Sequence, residues 1–182
     1  ILGDLHIASR TKAKCDAIID SVHEKGAMKR PGVFEAHALD ATDTAAVASL
    51  IRRTGAQIVI NVGSAFVNMY VLEACLETGA AYMDTAIHEE PDRVCEDPPW
   101  YANHEWKRRA RCKEAGVTAI LGVGFDPGVV NAFARLAEDD YLDTIASIDI
   151  VDINAGSHSK YFATNFDPEI NFREFTGTVW SW

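Results

Sequence analysis

Asp126 in the string GVGFDPG and His88, two residues past the string DTA at 84–86, are the side chains best suited to move a proton. Imidazole exchanges protons near neutral pH, and a carboxylate beside a reacting group can do so when its surroundings tune it. Each has a second reading. Asp before Pro is a strong helix N-cap signal, with proline preferred at the first helical position, so Asp126 is a catalytic group, a cap, or both. His88 is either a proton carrier or a solvated loop histidine. Small and amide residues gather at comparable points: Asn61-Val62-Gly63 closes the run QIVINVG, and Thr85 and Ala86 close AAYMDTA.

Those points have meaning only if the runs are strands. LHIAS predicts a first strand, with Thr11 placed to cap a helix whose apolar face carries Cys15, Ile18, Ile19 and Val22 and which stops at Gly26. VFEAHAL predicts a second strand. A helix opened by Thr42 or Asp43 follows, with Val47, Leu50 and Ile51 on one face and Gly55 as its stop. QIVINVG predicts a strand buried on both faces. Met69, Leu72, Cys75 and Leu76 mark a helix to Gly79, and AAYMDTA predicts a fourth strand. After a polar loop at 88–99, WYANHEWKRRARCKEAG predicts one helix to Gly116, then TAILGV a fifth strand. Val129, Val130, Phe133, Leu136 and Ala137 outline the buried face of a further helix. Alternating strands and helices imply a parallel sheet, an α/β, Rossmann-like doubly wound fold whose ligands bind outside the carboxyl ends of the strands. Beyond residue 138 the texture changes: TIASIDIVDIN alternates as a half-exposed strand through Ile148, Ile150 and Ile153, and the tail shows no clear helix. The expected division is a dinucleotide-binding domain over 1–127 and the opening of a second, α+β domain over 128–182.

GVGFDPG is not a phosphate loop. Its glycines, 122, 124 and 128, lack the G-x-G-x-x-G spacing, and the string falls after the fifth strand. The opening strand with its glycine-rich turn is not found in the first 40 residues, and the chain begins abruptly without Met, which reads as a partial chain. LHIAS then corresponds to the second strand of a dinucleotide fold, whose end faces the adenosine ribose. Arg10, flanked by the hydroxyls of Ser9 and Thr11, suits a 2′-phosphate and points to NADP over NAD; the alternative is a helix start with a solvated arginine. Asp40, at the end of the second strand, is either an adenine contact or a capping carboxylate.

The formal charge of −10 over 182 residues argues against nucleic acid. No apolar run is long enough to span a bilayer, and the start is not a signal peptide. Cys15, Cys75, Cys95 and Cys112 form no C-x-x-C pair, so no metal site is indicated and buried, reduced thiols in a cytoplasmic protein are expected. Trp100, Tyr101, Trp106, Trp180 and Trp182 are too scattered to define an aromatic cage.

GFDPG, Asn61, DTA at 84–86 and the stretch NAGSHSKYFATNFDPEINFRE together resemble the saccharopine dehydrogenase family, and within it the carboxynorspermidine (carboxyspermidine) dehydrogenase branch. The similarity runs from ASRTKAKCD to FRE at 172–174. It implies an NADP-dependent oxidoreductase of polyamine biosynthesis, joining L-aspartate semialdehyde reductively to 1,3-diaminopropane or putrescine, and possible assembly as a homodimer. By matching positions, Ser9, Arg10 and Thr11 would hold the 2′-phosphate and Asp40 would lie near adenine. Asn61, Val62, Gly63, Thr85 and Ala86 would line the cofactor's path. Gly124, Phe125 and Asp126 would sit beside nicotinamide and substrate; Asn154 and Asn165 either contact substrate or shape their loop, and His158, grouped with them at the substrate, is either a proton carrier like His88 or a solvated loop histidine. Saccharopine reductase, homospermidine synthase and a non-catalytic NADP-binding module are the competing functions.

Overall fold

The structure, a computed structural model, describes residues 3–27, 32–93, 103–151, 153 and 167–176. Strand β1 (Leu5–Ser9) is followed by helix α1 (Lys12–Glu24), β2 (Phe34–Ala38), α2 (Thr44–Thr54) and β3 (Ile58–Asn61). A 3₁₀ turn (Ala65–Val67) leads into α3 (Asn68–Thr78), then β4 (Ala81–Asp84). Short helices α4 (Asn103–Trp106) and α5 (Arg109–Ala115) precede β5 (Ala119–Ile120), and α6 (Val129–Asp140) and α7 (Pro168–Thr176) complete the order.

Among the described residues all strand pairings are parallel, as the strand–helix alternation requires. β1 pairs with β2 in register from Leu5↔Phe34 to Ser9↔Ala38, while β3, β4 and β5 form a second ladder in that order. In the common doubly wound order the strands corresponding to β1 and β3 are not neighbours, so their lack of pairing agrees with that fold. Helix punctuation follows the glycines: α2, α3 and α5 are capped by Gly55, Gly79 and Gly116, and Gly26 sits just past α1. There the Gly26 and Ala27 N–H groups donate to the carbonyls of His23 and Val22, a Schellman ending. Asp43 caps α2 by accepting from the Ala46 N–H at 2.9 Å.

The main core lies between α2, α3 and one face of the three-stranded sheet: Val47, Ala48 and Ile51 meet Met69, Val71, Leu72, Ala74, Cys75 and Tyr82. Cys75 is fully enclosed, and burial pushes its thiol up to about 12. Cys15 is buried on α1, the helix packed against β1 and β2. Glu73 of α3 clamps α5 by accepting from both Arg108 and Arg111, at 2.7–2.8 Å.

Several expectations are corrected. Thr11 stands at the α1 N-cap position, but its side chain caps nothing; Ser9 Oγ instead accepts the Thr11 N–H. β3 is not buried on both faces. Its Val59–Asn61 face meets the core, whereas Ile58 and Ile60 are 54% and 52% exposed, because no described element covers the other face. The helix expected across 100–116 is interrupted after Trp106. The Arg108 guanidinium takes the His104 carbonyl at 2.8 Å, and the Arg108 N–H turns to Glu105 instead, which breaks the ladder. The face of α6 is amphipathic but unburied, with Phe133 63% exposed. The alternation around Ile148 and Ile150 forms no strand, since no partner among the described residues takes its backbone groups. The tail does contain a helix, α7, opened by Asp167, whose carboxylate accepts from the Glu169 N–H.

A histidine pair spans the two-stranded sheet. His6 Nδ1 lies 3.0 Å from His37 Nε2, with the Glu35 carboxylate at 3.8–3.9 Å. Burial holds the His37 imidazole below its ordinary value, against the pull of Glu35, with His6, Arg53 and Lys12 adding in the same downward direction. A depressed folded value means the unfolded chain binds the proton first, so this contribution is present above about pH 6.5 and lost as pH falls. The melting temperature is therefore expected to drop between pH 7.5 and 5.5, and His37→Gln should flatten that slope. Equal slopes in both proteins would remove His37 from the account.

Candidate functional site

The carboxyl ends of the strands gather the polar residues singled out in the sequence, in two groups. At the end of β1, Ser9 and Thr11 close a tight turn in which Ser9 Oγ bonds both the N–H and the carbonyl of Thr11. The turn leaves Arg10 exposed, with no hydrogen bond or ion pair among the described residues. Beside it, the Leu39 N–H donates to Ser9 O and brings in the end of β2. Asp40 accepts there from the N–H and hydroxyl of Thr42 at 2.9 and 2.7 Å. These bonds hold its carboxyl below the usual range, the backbone donor contributing most and nearby Arg10 adding a little. An unpaired guanidinium beside two hydroxyl residues fits a dianionic phosphate.

The second group is built on a buried amide–carboxylate chain. Asn61 Oδ1 accepts from the Gly63 N–H at 3.1 Å, and Asn61 Nδ2 donates to Asn68 Oδ1 at 2.7 Å. Asn68 Nδ2 donates in turn to Ala86 O at 2.6 Å and lies 3.4 Å from Asp84 Oδ2. Asp84 Oδ1 accepts from the Gly122 N–H at 2.6 Å, and Asp84 O accepts from Val123 N–H. Burial pushes the Asp84 carboxyl up, with the Gly122 bond opposing it and Glu105 adding to the rise. The same burial, reinforced by Asp84, keeps the Tyr82 phenol protonated. The side chain of Asn61 is thus spent inside the protein, and so are the Gly63 N–H and the Ala86 carbonyl.

The glycine turn rests on this chain. Gly124 N–H donates to Pro127 O, and Gly124 O accepts from Val129 N–H. A Cβ on Gly124 would lie 2.7 Å from Thr85 O, so only glycine permits this approach to the residue that follows β4. Asp126 is not the helix cap its sequence suggested. Helix α6 begins at Val129 after Gly128, and the Gly128 N–H is taken by Asn131 Oδ1. Asp126 and Phe125 are both exposed on the turn.

His88 is buried, contrary to a solvated loop residue. Its Nδ1 meets Ala65 O at 3.0 Å, its backbone N–H donates to Glu105 Oε1 at 2.8 Å, and its Nε2 faces Glu90 at 3.6 Å. Asn154, His158 and Asn165 lie outside the described residues. Sequence reasoning missed Asn68, which only folding brings between two strand ends. It also missed Arg173 of α7, whose guanidinium donates to the carbonyls of Glu90, Pro91 and Arg93 and to Glu169, stacked over Phe66. The signal for that helix was present, since Asp167-Pro168 repeats the Asp-Pro start considered at Asp126.

Residues 2–120 match the sequence profile of the saccharopine dehydrogenase NADP binding domain. The chain belongs to the saccharopine dehydrogenase family. NADP is the cofactor of this family's domain, which agrees with the exposed Arg10. Among its relatives, carboxynorspermidine synthases of Vibrio alginolyticus and Vibrio cholerae are each 42% identical over the whole chain. A carboxyaminopropylagmatine dehydrogenase of Synechocystis sp. is 42% identical over 95% of it. The chain spans 44% of the length of the Vibrio proteins and 41% of the Synechocystis protein. The fold is similar to that of apo saccharopine dehydrogenase (L-Glu forming) from Saccharomyces cerevisiae, with a TM-score of 0.50 and 20% identity over 74% of this chain and 25% of that one.

Proposed function

We propose that this chain is the cofactor-binding part of an NADPH-dependent enzyme that joins L-aspartate semialdehyde to a diamine, 1,3-diaminopropane or putrescine, as a carboxylated polyamine. The observation that carries the reading is the 42% identity along the whole chain to two carboxynorspermidine synthases. When bound, NADPH supplies the hydride that reduces the imine formed from aldehyde and amine. In this reading residues 1–127 form the cofactor domain and 128–182 open the substrate domain. Ser9, Arg10 and Thr11 hold the 2′-phosphate, Asp40 borders the adenine, and the backbone of Asn61, Val62, Gly63, Thr85 and Ala86 lines the path toward Gly124 and Phe125. Asp126, exposed on the turn, is the group placed to take or give the proton when the carbinolamine loses water. His88 is enclosed, and its part is to fix the loop after β4. Asn154, His158 and Asn165 remain candidates for substrate contact. Among the described residues no helix is long and apolar enough to cross a membrane. We place the enzyme in the cytoplasm, as a homodimer acting on small molecules.

A second reading of the amine is supported by the Synechocystis relative, whose name specifies an agmatine-derived product. NADPH oxidation by the full-length protein is the test, with aspartate semialdehyde and, in turn, 1,3-diaminopropane, putrescine, agmatine or lysine. Turnover needing both aldehyde and one of the first two amines is expected. Preference for agmatine would transfer the activity to the second reading, for lysine to the saccharopine type, and binding of NADPH without any turnover would end the proposal.

Arg10→Ala separates phosphate recognition from a helix-start arginine. Loss of a desolvated charge-assisted contact is worth about 1.5–3 kcal/mol, so KM for NADPH should rise about 10- to 100-fold while KM for NADH stays nearly constant. Equal changes with both cofactors would remove Arg10 from phosphate recognition.

A further inference from the structure

The loop after β4 and helix α4 bring together two imidazoles and a carboxylate that the amide–carboxylate chain and the glycine turn do not use. His88 Nε2 lies 3.6 Å from Glu90 Oε1, and His104 Nδ1 lies 3.3 Å from the same oxygen. The three donor atoms are all within 4.8 Å of one another. Around a four-coordinate ion with bonds of about 2.0–2.1 Å, neighbouring ligand atoms stand about 3.3–3.4 Å apart; the His104–Glu90 separation of 3.3 Å equals that spacing and the His88–Glu90 separation of 3.6 Å lies just above it.

The His88 tautomer suits this role. A carbonyl can only accept, so the contact between Nδ1 and Ala65 O at 3.0 Å requires a proton on Nδ1, and in the neutral ring the Nε2 lone pair then faces Glu90. A histidine whose far nitrogen is fixed by a carbonyl is the usual support for a metal-ligating imidazole. The His104 ring stands edge-on to His88, with centroids 4.9 Å apart. The backbone of Glu90 is anchored from behind by the Arg173 guanidinium, which donates to Glu90 O at 2.7 Å.

The charge around the cluster points the same way. Glu105 is 5% exposed; its Oε1 accepts the His88 N–H, while its buried Oε2 has no hydrogen-bond partner. Arg173 is engaged with Glu169 and Glu89, and Arg108 with Glu73. A buried carboxylate with one oxygen unpaired is costly unless positive charge stands near it. The other histidine cluster differs: His6 and His37 are within hydrogen-bond distance of each other and satisfy one another without an ion.

We propose that His88 Nε2, Glu90 Oε1 and His104 Nδ1 bind one divalent cation of the zinc class. Two imidazoles and one carboxylate select a borderline ion over calcium or magnesium, and among the described residues they leave a fourth coordination position open. The ion would join residues 88–90 to α4 and fix the loop that leaves the strand end Asp84–Ala86. This inference does not rest on the proposed function.

Zinc titration of the untagged full-length protein against a chromophoric chelator tests it, after dialysis against a metal-free buffer. One equivalent is expected to bind with a dissociation constant below about 1 μM. Glu90→Gln keeps the size of a partly exposed side chain, so the fold should survive, and circular dichroism verifies that. Glu90→Gln and His104→Gln should each weaken binding at least about 10-fold. His6→Gln should leave it unchanged. Zinc should also raise the melting temperature of the wild type and not that of Glu90→Gln. Absence of a tight equivalent, or binding that survives Glu90→Gln and His104→Gln but fails in His6→Gln, overturns the assignment.

Discussion

Asp84→Ala is expected to destabilise the protein by about 3 kcal/mol, a fall of roughly 6–12 °C in melting temperature for a domain of this size. Asp84 is wholly buried and closes two connections at once. Its Oδ1 receives the Gly122 N–H at 2.6 Å, and its Oδ2 lies by Asn68, which holds Ala86 O. Alanine leaves the Gly122 N–H without an acceptor in a place water does not reach, and an orphaned buried donor costs about 1–3 kcal/mol beyond the bond itself. Asp84→Asn is the informative partner. The amide keeps an acceptor for Gly122, gives up only the long 3.4 Å contact from Asn68, and removes the burden of burying a carboxylate, whose ionisation burial already disfavours. It should therefore cost less than half as much. Because the folded value of Asp84 is raised, its ionised form weakens the fold as pH climbs above the ordinary carboxylate range, and Asp84→Asn should lose that part of the pH dependence. Urea denaturation of the three proteins decides the matter; an alanine variant within about 1 kcal/mol of wild type would show that the chain is not a structural keystone.

Gly128→Ala should be nearly as damaging, for a steric reason. Gly128 has φ +134°, and a Cβ there would stand 2.2 Å from Gly124 O and 2.6 Å from Gly124 N. No flexible side chain can yield; the obstacle is backbone. Strain of this conformation and the overlap together are expected to cost about 2–4 kcal/mol. Gly26→Ala supplies the comparison. Its φ is +59°, but nothing lies within 4 Å of the added Cβ, so only the backbone preference is lost, about 1 kcal/mol. If the proposed function holds, Gly128→Ala also displaces Phe125 and Asp126 and should lower turnover more than it raises KM. Similar stabilities for the two variants would mean that the turn relaxes freely.

The alternation of elements was readable because each helix carries its own punctuation. Gly55, Gly79 and Gly116 sit where an apolar rhythm stops, and Asp43 offers an acceptor where the next one starts. What was not readable depends on contacts distant in sequence. Arg108 breaks a continuous helical pattern only because it reaches back to the His104 carbonyl while holding Glu73 on another helix. Ile58 and Ile60 look like core residues in the apolar run Ile58-Val59-Ile60, and only the arrangement of neighbours reveals which face is covered. Ile148 and Ile150 alternate like a strand, yet a strand needs a partner, and periodicity does not supply one. At the strand ends, Asn61 and the residues after Asp84 stand where the alternation put them, but the side chain of Asn61 is not free. Asn61 spends both amide ends on Gly63 and Asn68, so its contribution is the shape of a loop. Asp126 shows the converse: Asp-Pro invites a cap, but the actual cap lies two residues further on and leaves the carboxylate in solvent.

The two ladders each enclose a thiol, Cys15 beneath β1 and β2 and Cys75 beneath β3 to β5. Neither sulfur can meet an alkylating reagent until its own layer parts, which turns the pair into two clocks inside one molecule. Read residue by residue in a mass spectrometer under dilute denaturant, equal rates would describe a cooperative unit, and unequal rates would name the half that opens first.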